Sequence, residues 1–384
     1  MEHRHLIWCE VERSSLIANL ARFRTVVGRA CLLAPTVKAN AYGHGLLLAA
    51  RAFLDGGADW LTVNSLDEAR LLRRHGIDAP VYVMGYVSVA DLEEAVALQC
   101  RLVVYNHETV EQLGRVVARL APGTHAHVHL KVETGNYRQG LELPDALALA
   151  GRIARTPGLE LEGAATHFAD IEDTTDHTYA RQQLARFHEA LTALAAAGHP
   201  VRLRHCCNSA ATILWPHTYL DLVRVGIGAY GMWPSAQTRV SAVLEGRHGI
   251  VELKPALTWK TRVAQIKDVP RGAFVGYGRT FRTTHPTRLA VLPAGYYDGY
   301  DRKLSNLAHV LIRGQRAPLR GRVCMNMIMV DVTDIPEVRL EDEAVLLGAQ
   351  GAEQIHAEQL GDWIGTINYE VTTRIAEHVP RLAV

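Results

Sequence analysis

From residue 32 to residue 225 the chain repeats one pattern, a short apolar run followed by an amphipathic segment, and that rhythm narrows the fold more than any other feature. Strands are expected at 32–38, 60–63, 81–84, 102–105, 125–133, 159–167, 202–208 and 222–225. The first is an apolar run bounded by turn-forming residues, the pattern of a buried strand. Segments of helical period lie between them at 46–55, 91–99, 108–120, 144–155 and 179–197, with a short one from Ser209. Ser65 and Glu68 form the capping box of a further helix, which Gly76 stops. Eight strands, each followed by a helix or a closing turn, make the count of a (β/α)8 TIM barrel. A doubly wound open sheet is the competing α/β arrangement. The barrel is preferred because Lys38, Lys131, His167, Asn208 and Arg224 stand at C-terminal strand ends, where barrels gather reactive groups.

The flanks do not share the rhythm. Residues 6–11 read as a short strand, and 14–27 as a helix with Leu16, Leu20, Phe23 and Val27 on one face. Around residue 235 the alternation stops, and 235–249 is polar and irregular. Short strands separated by Gly and Pro turns follow at 258–266, 288–293, 310–312, 327–332 and 344–347, before a final helix at 368–377. This is the pattern of a smaller, mainly-β domain of barrel or sandwich type. The expected domains are therefore 12–240 and 241–384, with the strand in 1–11 joining the second.

Composition excludes several classes. A formal charge of +1 offers no electrostatic footprint for nucleic acid or an anionic membrane. No apolar run approaches the roughly 18 residues of a membrane span, and residues 1–10 lack the basic head and apolar core of a signal peptide. Six scattered cysteines without a C-x-x-C pair suit reduced thiols and a cytoplasmic setting.

Within the barrel segment, the word TVKANAYGHG (36–45) places Lys38 at the exit of the first strand. Partial desolvation there lowers an amine's pKa and makes it a nucleophile or a base. Asn208 and Ser209 end the seventh strand at a helix start, and Arg224, Gly226, Ile227 and Gly228 follow the eighth. Backbone N–H groups in those two loops make an anion site where barrels often hold phosphate. His125, His127 and His129 alternate, on one face with Lys131 and Glu133. That face lines the barrel interior, and no metal site is expected from it.

TVKANAYGHG resembles the pyridoxal-phosphate lysine motif of the alanine racemase family. Further family words follow in family order: KVETGNYR (131–138), THF (166–168), VGYGR (275–279), GYYDGY (295–300), GRVCMN (321–326) and NYE (368–370). The resemblance thus spans nearly the whole chain. It implies pyridoxal 5'-phosphate bound through Lys38, with Tyr42, Asn208, Ser209, Gly226, Ile227 and Tyr369 at its phosphate and Arg224 at its ring nitrogen. Arginine only donates hydrogen bonds, so the ring nitrogen must accept and stays unprotonated. A substrate carbanion then stays localised on its α-carbon, which favours reprotonation over transamination.

The resemblance also implies two bases, Lys38 and Tyr277, on opposite faces of that carbon. A free tyrosine has a pKa of about 10, so Tyr277 needs help, for which His167 would connect it to Arg224. Arg138 and the backbone of Met325 would bind the substrate carboxylate, Met325 and Tyr277 coming from the partner subunit of a homodimer. Lys131 would be carbamylated by carbon dioxide, turning a cation into an anion that holds Arg138.

Four departures stand out: Glu133 and Asn326 for aspartates, Asn136-Tyr137 in place of a methionine and its neighbour, and His378 for an arginine. Asn136 and Asn326 adjoin the carboxylate site and bear on substrate range. The expected activity is interconversion of L- and D-alanine. The alternatives are a racemase of broader or different specificity, a fold-related amino-acid decarboxylase, and a non-catalytic pyridoxal-phosphate carrier. The decarboxylase would carry a carboxylate in place of Arg224. The carrier would lack the β-domain.

Overall fold

The computed structural model describes residues 5–247, 249 and 252–384. It divides into two compact units. One comprises Ser14–Ala41 and Leu46–Lys254. The other comprises the described residues up to Arg13, Tyr42–Gly45 and Pro255–Val384. The first four residues of the expected N-terminal strand segment lie outside the described residues.

The chain enters through strand β1 (Ile7–Val11) and the helix Arg13–Val27, which buries Leu16, Leu20, Phe23 and Val27. The larger unit then builds a closed parallel barrel from β2 (Leu32–Leu33), β3 (Leu61–Val63), β4 (Val81–Val83), β5 (Cys100–Val104), β6 (Ala126–Lys131), β7 (Leu159–Ala165), β8 (Leu203–His205) and β9 (Leu222–Val223). Strands β3 to β8 pair side by side in chain order. Closure comes from β2, which pairs with β9 and reaches β3 through a parallel bridge between Thr36 and Thr62. Asp221 N–H donates to Arg204 O at 3.1 Å and ties β9 to β8.

Trp60, Tyr82, Val103, Leu203, Leu222 and Ala34 pack together as one buried cluster. Val81, Val83, Val128, Leu130 and Ala164 are also fully buried, as expected for strands covered on both sides. The helix Leu66–Arg74 starts on the capping box read from the sequence: Ser65 Oγ accepts Glu68 N–H at 3.4 Å, and Glu68 Oε2 accepts Ser65 N–H at 3.2 Å.

The segment 235–249 is not irregular throughout. Ser235 caps a helix, Ala236–Leu244, by accepting Thr238 N–H at 2.9 Å. Its buried residues are Thr238, Ser241 and Ala242. Small polar side chains face the interior, so no apolar stripe marks the helix in sequence. The boundary expected at residue 240 falls inside it.

In the smaller unit, the single strand expected at 258–266 is two strands, β10 (Leu257–Arg262) and β11 (Gln265–Val269), which enter different sheets. β12 (Phe274–Val275) and β13 (Phe281–Arg282) form a ribbon. β14 (Thr287–Leu292) pairs with β11 and with β17 (Ile328–Asp331). The main sheet runs β16 (Gln315–Pro318), β15 (His309–Ile312), β18 (Glu343–Gln350), β10, β1 and β20 (Arg381–Ala383), with β19 (Glu353–Ile355) on β18. β1 thus lies between β10, antiparallel, and β20, parallel. Two helices, Ala357–Ile364 and Asn368–Thr373, complete the unit, the second ending before the expected residue 377.

Candidate active site

Lys38 leaves the β2 segment into a backbone that few residues adopt. Ala39, Asn40, Ala41 and Tyr42 have φ of 54°, 51°, 54° and 53°, one after another. A left-handed turn without glycine costs about 1–2 kcal/mol per residue, and such strain persists only where surrounding contacts impose it. Here Glu68 Oε1 accepts Ala39 N–H at 2.7 Å, Asn40 Oδ1 accepts Leu46 N–H at 2.8 Å, and Tyr230 donates to Thr36 O at 2.7 Å. The turn therefore aims Lys38 rather than letting it snorkel.

Burial lowers the pKa of Lys38, and the Arg138 cation lowers it further; Glu68 and Glu172 oppose this, and Arg224 adds to it. Lys131 is held well below the ordinary lysine value by burial first, then by Arg224 and Arg138. His167 lies well below the imidazole range because it is buried and surrounded by Lys131, Arg224, Arg138 and Lys38. Lys38, Lys131, Arg138, His167 and Arg224 thus form one electrostatically coupled cluster in the barrel unit. Basic groups held this close together cost energy unless they give up protons or an anion joins them.

Arg224 is buried and committed to the protein through its fork. Nη1 donates to His205 Nδ1, and Nη2 donates to Thr166 O at 2.9 Å. Its Nε–H has no protein acceptor among the described residues. Arg138 is exposed and has no hydrogen-bonding partner among the described residues.

The loops after β8 and β9 are tied together by one hydroxyl. Ser209 Oγ accepts Gly226 N–H at 2.8 Å and Gly228 N–H at 3.2 Å. Asn208 caps the helix Ser209–Leu214 by accepting Ala211 N–H at 2.9 Å, and its amide donates to Glu172 at 2.6 Å. A Cβ at Gly228 would meet Phe23 Cζ at 2.7 Å, so only glycine fits this close packing. Ile227 is fully buried beside it.

In the smaller unit, Tyr42 and Tyr369 stand with ring centroids 6.0 Å apart. Tyr277 is 72% exposed, between Gly276 and Gly278, both at φ +72°. Met325 is 54% exposed while its carbonyl is pinned by Tyr297 N–H at 2.9 Å. Gly295 permits that approach, since a Cβ there would stand 2.3 Å from the same carbonyl.

The departures have local accounts. Glu133 does the work of a shorter carboxylate in the loop after β6, accepting N–H from Gly135 at 2.5 Å and Asn136 at 2.6 Å. Burial would raise its pKa, but donors from Gly135, Tyr137, Asn136 and Thr134 outweigh that and lower it. His378 stacks on Tyr297 at 4.7 Å and hydrogen-bonds Asp298 at 2.9 Å. Asn326 is exposed. Sequence reasoning missed Glu68, Glu172 and His205 as neighbours of the cluster. The capping box flagged Glu68, but only as a helix start. Among the described residues, no three His, Cys, Asp or Glu side chains converge as a metal site.

The donor set suits a phosphorylated aldehyde cofactor: an amine of lowered pKa, an arginine with a free Nε–H, and a helix start and a glycine loop joined at Ser209. The comparisons point the same way. Residues 11–234 match the model of the alanine racemase N-terminal domain, and residues 256–383 that of the C-terminal domain. An alanine racemase of Symbiobacterium thermophilum is 42% identical over 97% of this chain and 96% of its own length. One from Leptospira interrogans is 37% identical over 100% of this chain and 97% of its own. The crystal structure of alanine racemase from Bacillus anthracis with bound L-Ala-P superposes with a TM-score of 0.91 at 33% identity, covering 100% of this chain and 96% of that one. The chain belongs to the alanine racemase family.

Proposed function

We propose that this chain interconverts L- and D-alanine with pyridoxal 5'-phosphate, using Lys38 and Tyr277 as opposed bases. The isomerase assignment follows from the family; the cofactor and the residue roles are our reading. The observation that carries it is the amine of Lys38, kept at lowered pKa by burial, Arg138 and Arg224 immediately before a strained turn. When bound, the cofactor acidifies the α-hydrogen of the attached amino acid.

The residues divide the remaining work. Lys38 would hold the cofactor, and its amine, when free, would take or return the proton on one face. Tyr277 serves the other face. His167 is neutral near pH 7, so any help it gives Tyr277 passes as a hydrogen bond rather than as a second cation. Arg224 would offer its free Nε–H to the ring nitrogen, which would then accept rather than carry a proton. Asn208, Ser209, Gly226 and Ile227, with Tyr42 and Tyr369, hold the phosphate. Arg138, with its unengaged planar fork, takes the substrate carboxylate, and the backbone of Met325 assists. Lys131 as a carbamate orients Arg138.

Tyr277 and Met325 are exposed on a unit that also exposes Phe274, Tyr296, Tyr297 and Met327. Apolar exposure of this extent marks an interface, and it supports a homodimer in which these two residues serve the partner's barrel. The barrel domain then binds the cofactor and the mainly-β domain completes the site. No helix of the described residues is long and apolar enough to cross a membrane; we assign the enzyme to the cytoplasm.

A chiral assay over a panel of L-amino acids tests the reading. The expected result is racemisation of alanine above all others, with Lys38→Ala losing both the visible cofactor band and turnover. A Lys38→Ala enzyme that keeps its activity overturns it, and faster turnover of another amino acid overturns the substrate.

A further inference from the structure

Behind Arg224, the barrel interior contains a line of polar groups where barrels ordinarily pack branched aliphatic side chains. Arg224 Nη1 donates to His205 Nδ1. His205 Nε2 lies 2.7 Å from His129 Nδ1, and His129 Nε2 lies 3.0 Å from Glu162 Oε2. Glu162 is 1% exposed, and both imidazoles are fully buried. Beyond it stand Arg202, 2.5 Å from Oε1, and Arg101, 3.5 Å from Oε2.

The chain of contacts admits one arrangement of hydrogens. Arginine can only donate, and a carboxylate can only accept. Three contacts join them, and two neutral imidazoles supply one N–H each. His205 must therefore accept at Nδ1 and donate from Nε2, and His129 must do the same. A proton added to either ring would set one N–H against another. Burial agrees, since it lowers the pKa of both rings.

The fold makes room for this line. The β6–β7 register shifts between Val128 and His129, placing His129 opposite Gly163. A Cβ at Gly163 would stand 2.6 Å from His129 Nδ1. Tyr82 packs on both rings, at 4.9 Å from His129 and 5.2 Å from His205, and Trp60 closes over His129.

We propose that Glu162 is a positioning residue for Arg224, acting through His129 and His205 to fix the guanidinium so that its Nε–H alone faces the ring nitrogen of the cofactor. The last clause rests on the function proposed above; the chain of contacts does not. Arg224 is held by His205, by Thr166 O at 2.9 Å and by Cys206 O at 3.5 Å, and only the His205 contact continues through the barrel interior to a charged group. Without the carboxylate, nothing requires His129 to donate from Nε2, and the tautomer of His205 is no longer imposed from below.

Nitrogen-15 NMR of the histidine-labelled full-length protein tests the chain directly, with and without pyridoxal phosphate. His129 and His205 should each show one protonated Nε2 and one accepting Nδ1, unchanged through the range around pH 6.5 where exposed imidazoles titrate. In Glu162→Gln the resonances of His205 should move although residue 162 does not touch it. Arg202→Met, which leaves the Glu162 charge in place, should leave His205 unmoved. In the loaded enzyme, Glu162→Gln should lower kcat about tenfold or more with little change in KM, and more turnovers should end in the amine form of the cofactor. Charged imidazolium signals, Nδ1–H tautomers, or His205 resonances identical in wild type and Glu162→Gln would overturn the proposal. If Glu162→Gln fails to fold, the wild-type tautomers still decide. A protein with the predicted tautomers that binds no pyridoxal phosphate would refute the function and leave the chain standing.

Discussion

Glu68 accepts the backbone N–H of Ala39 at 2.7 Å, although its place in sequence is the first turn of the helix Leu66–Arg74. One carboxylate therefore does two jobs. Oε2 receives the N–H groups of Asn64 and Ser65 and starts the helix, while Oε1 receives the first residue of the left-handed turn after Lys38. Hydrogen bonds to charged acceptors contribute more than neutral ones. Glu68→Ala should lower stability by about 2–3 kcal/mol and slow cofactor incorporation, with Glu68→Gln between it and wild type. Denaturant melts and the growth of the cofactor band measure the two effects. A loss of stability with no change in incorporation would mean that the carboxylate serves the helix alone.

Gly43 is required by contact as well as by dihedral angle. Its φ is +85°, and a Cβ there would stand 2.0 Å from Thr372 O. Gly43→Ala should cost about 2–4 kcal/mol, combining left-handed strain with backbone displacement. Thermal unfolding of the purified variant reads this, and an unchanged midpoint would contradict the packing described.

Lys131 should bind carbon dioxide. Burial and the neighbouring Arg224 and Arg138 lower its pKa well below the ordinary value, so the amine is substantially neutral where a free lysine is charged. A neutral amine and carbon dioxide give a carbamate and release one proton. The sign for the unmodified chain follows from linkage: the unfolded state binds the extra proton. Stability should therefore rise with pH between the folded value and about 10.4, and fall as pH drops through the folded value. Carbon-13 bicarbonate should produce a carbamate resonance that Lys131→Ala lacks. It should also raise the melting temperature. A labelled wild-type protein without that resonance would rule out the modification.

The barrel was legible because short strand-like segments alternate with helical ones, and strands such as Val81–Val83 are fully buried and read as apolar runs bounded by turns. The helix Ala236–Leu244 was not, because Thr238, Ser241 and Ala242 carry its buried face and leave no apolar period. The break between β10 and β11 was hidden for a related reason: residues 258–266 keep one strand-like composition while the chain changes sheets. At the site, Lys38, Arg224 and Ser209 announced themselves as motif residues. His129 and Glu162 did not. Alternation placed His129 inside the barrel, but its partner depends on a register shift and on the missing Cβ of Gly163, neither of which has a local signature.

Complementation between two inactive variants tests the shared two-base site most directly. Lys38→Ala chains and Tyr277→Phe chains are each expected to be inactive as homodimers. If Tyr277 serves the partner's barrel, each mixed dimer regains one site with both bases, and co-refolding equal amounts should restore roughly a quarter of wild-type turnover. If both bases come from one chain, no mixed dimer has a complete site. Activity that stays at the level of the separate variants, in a sample shown to contain mixed dimers, would contradict the account.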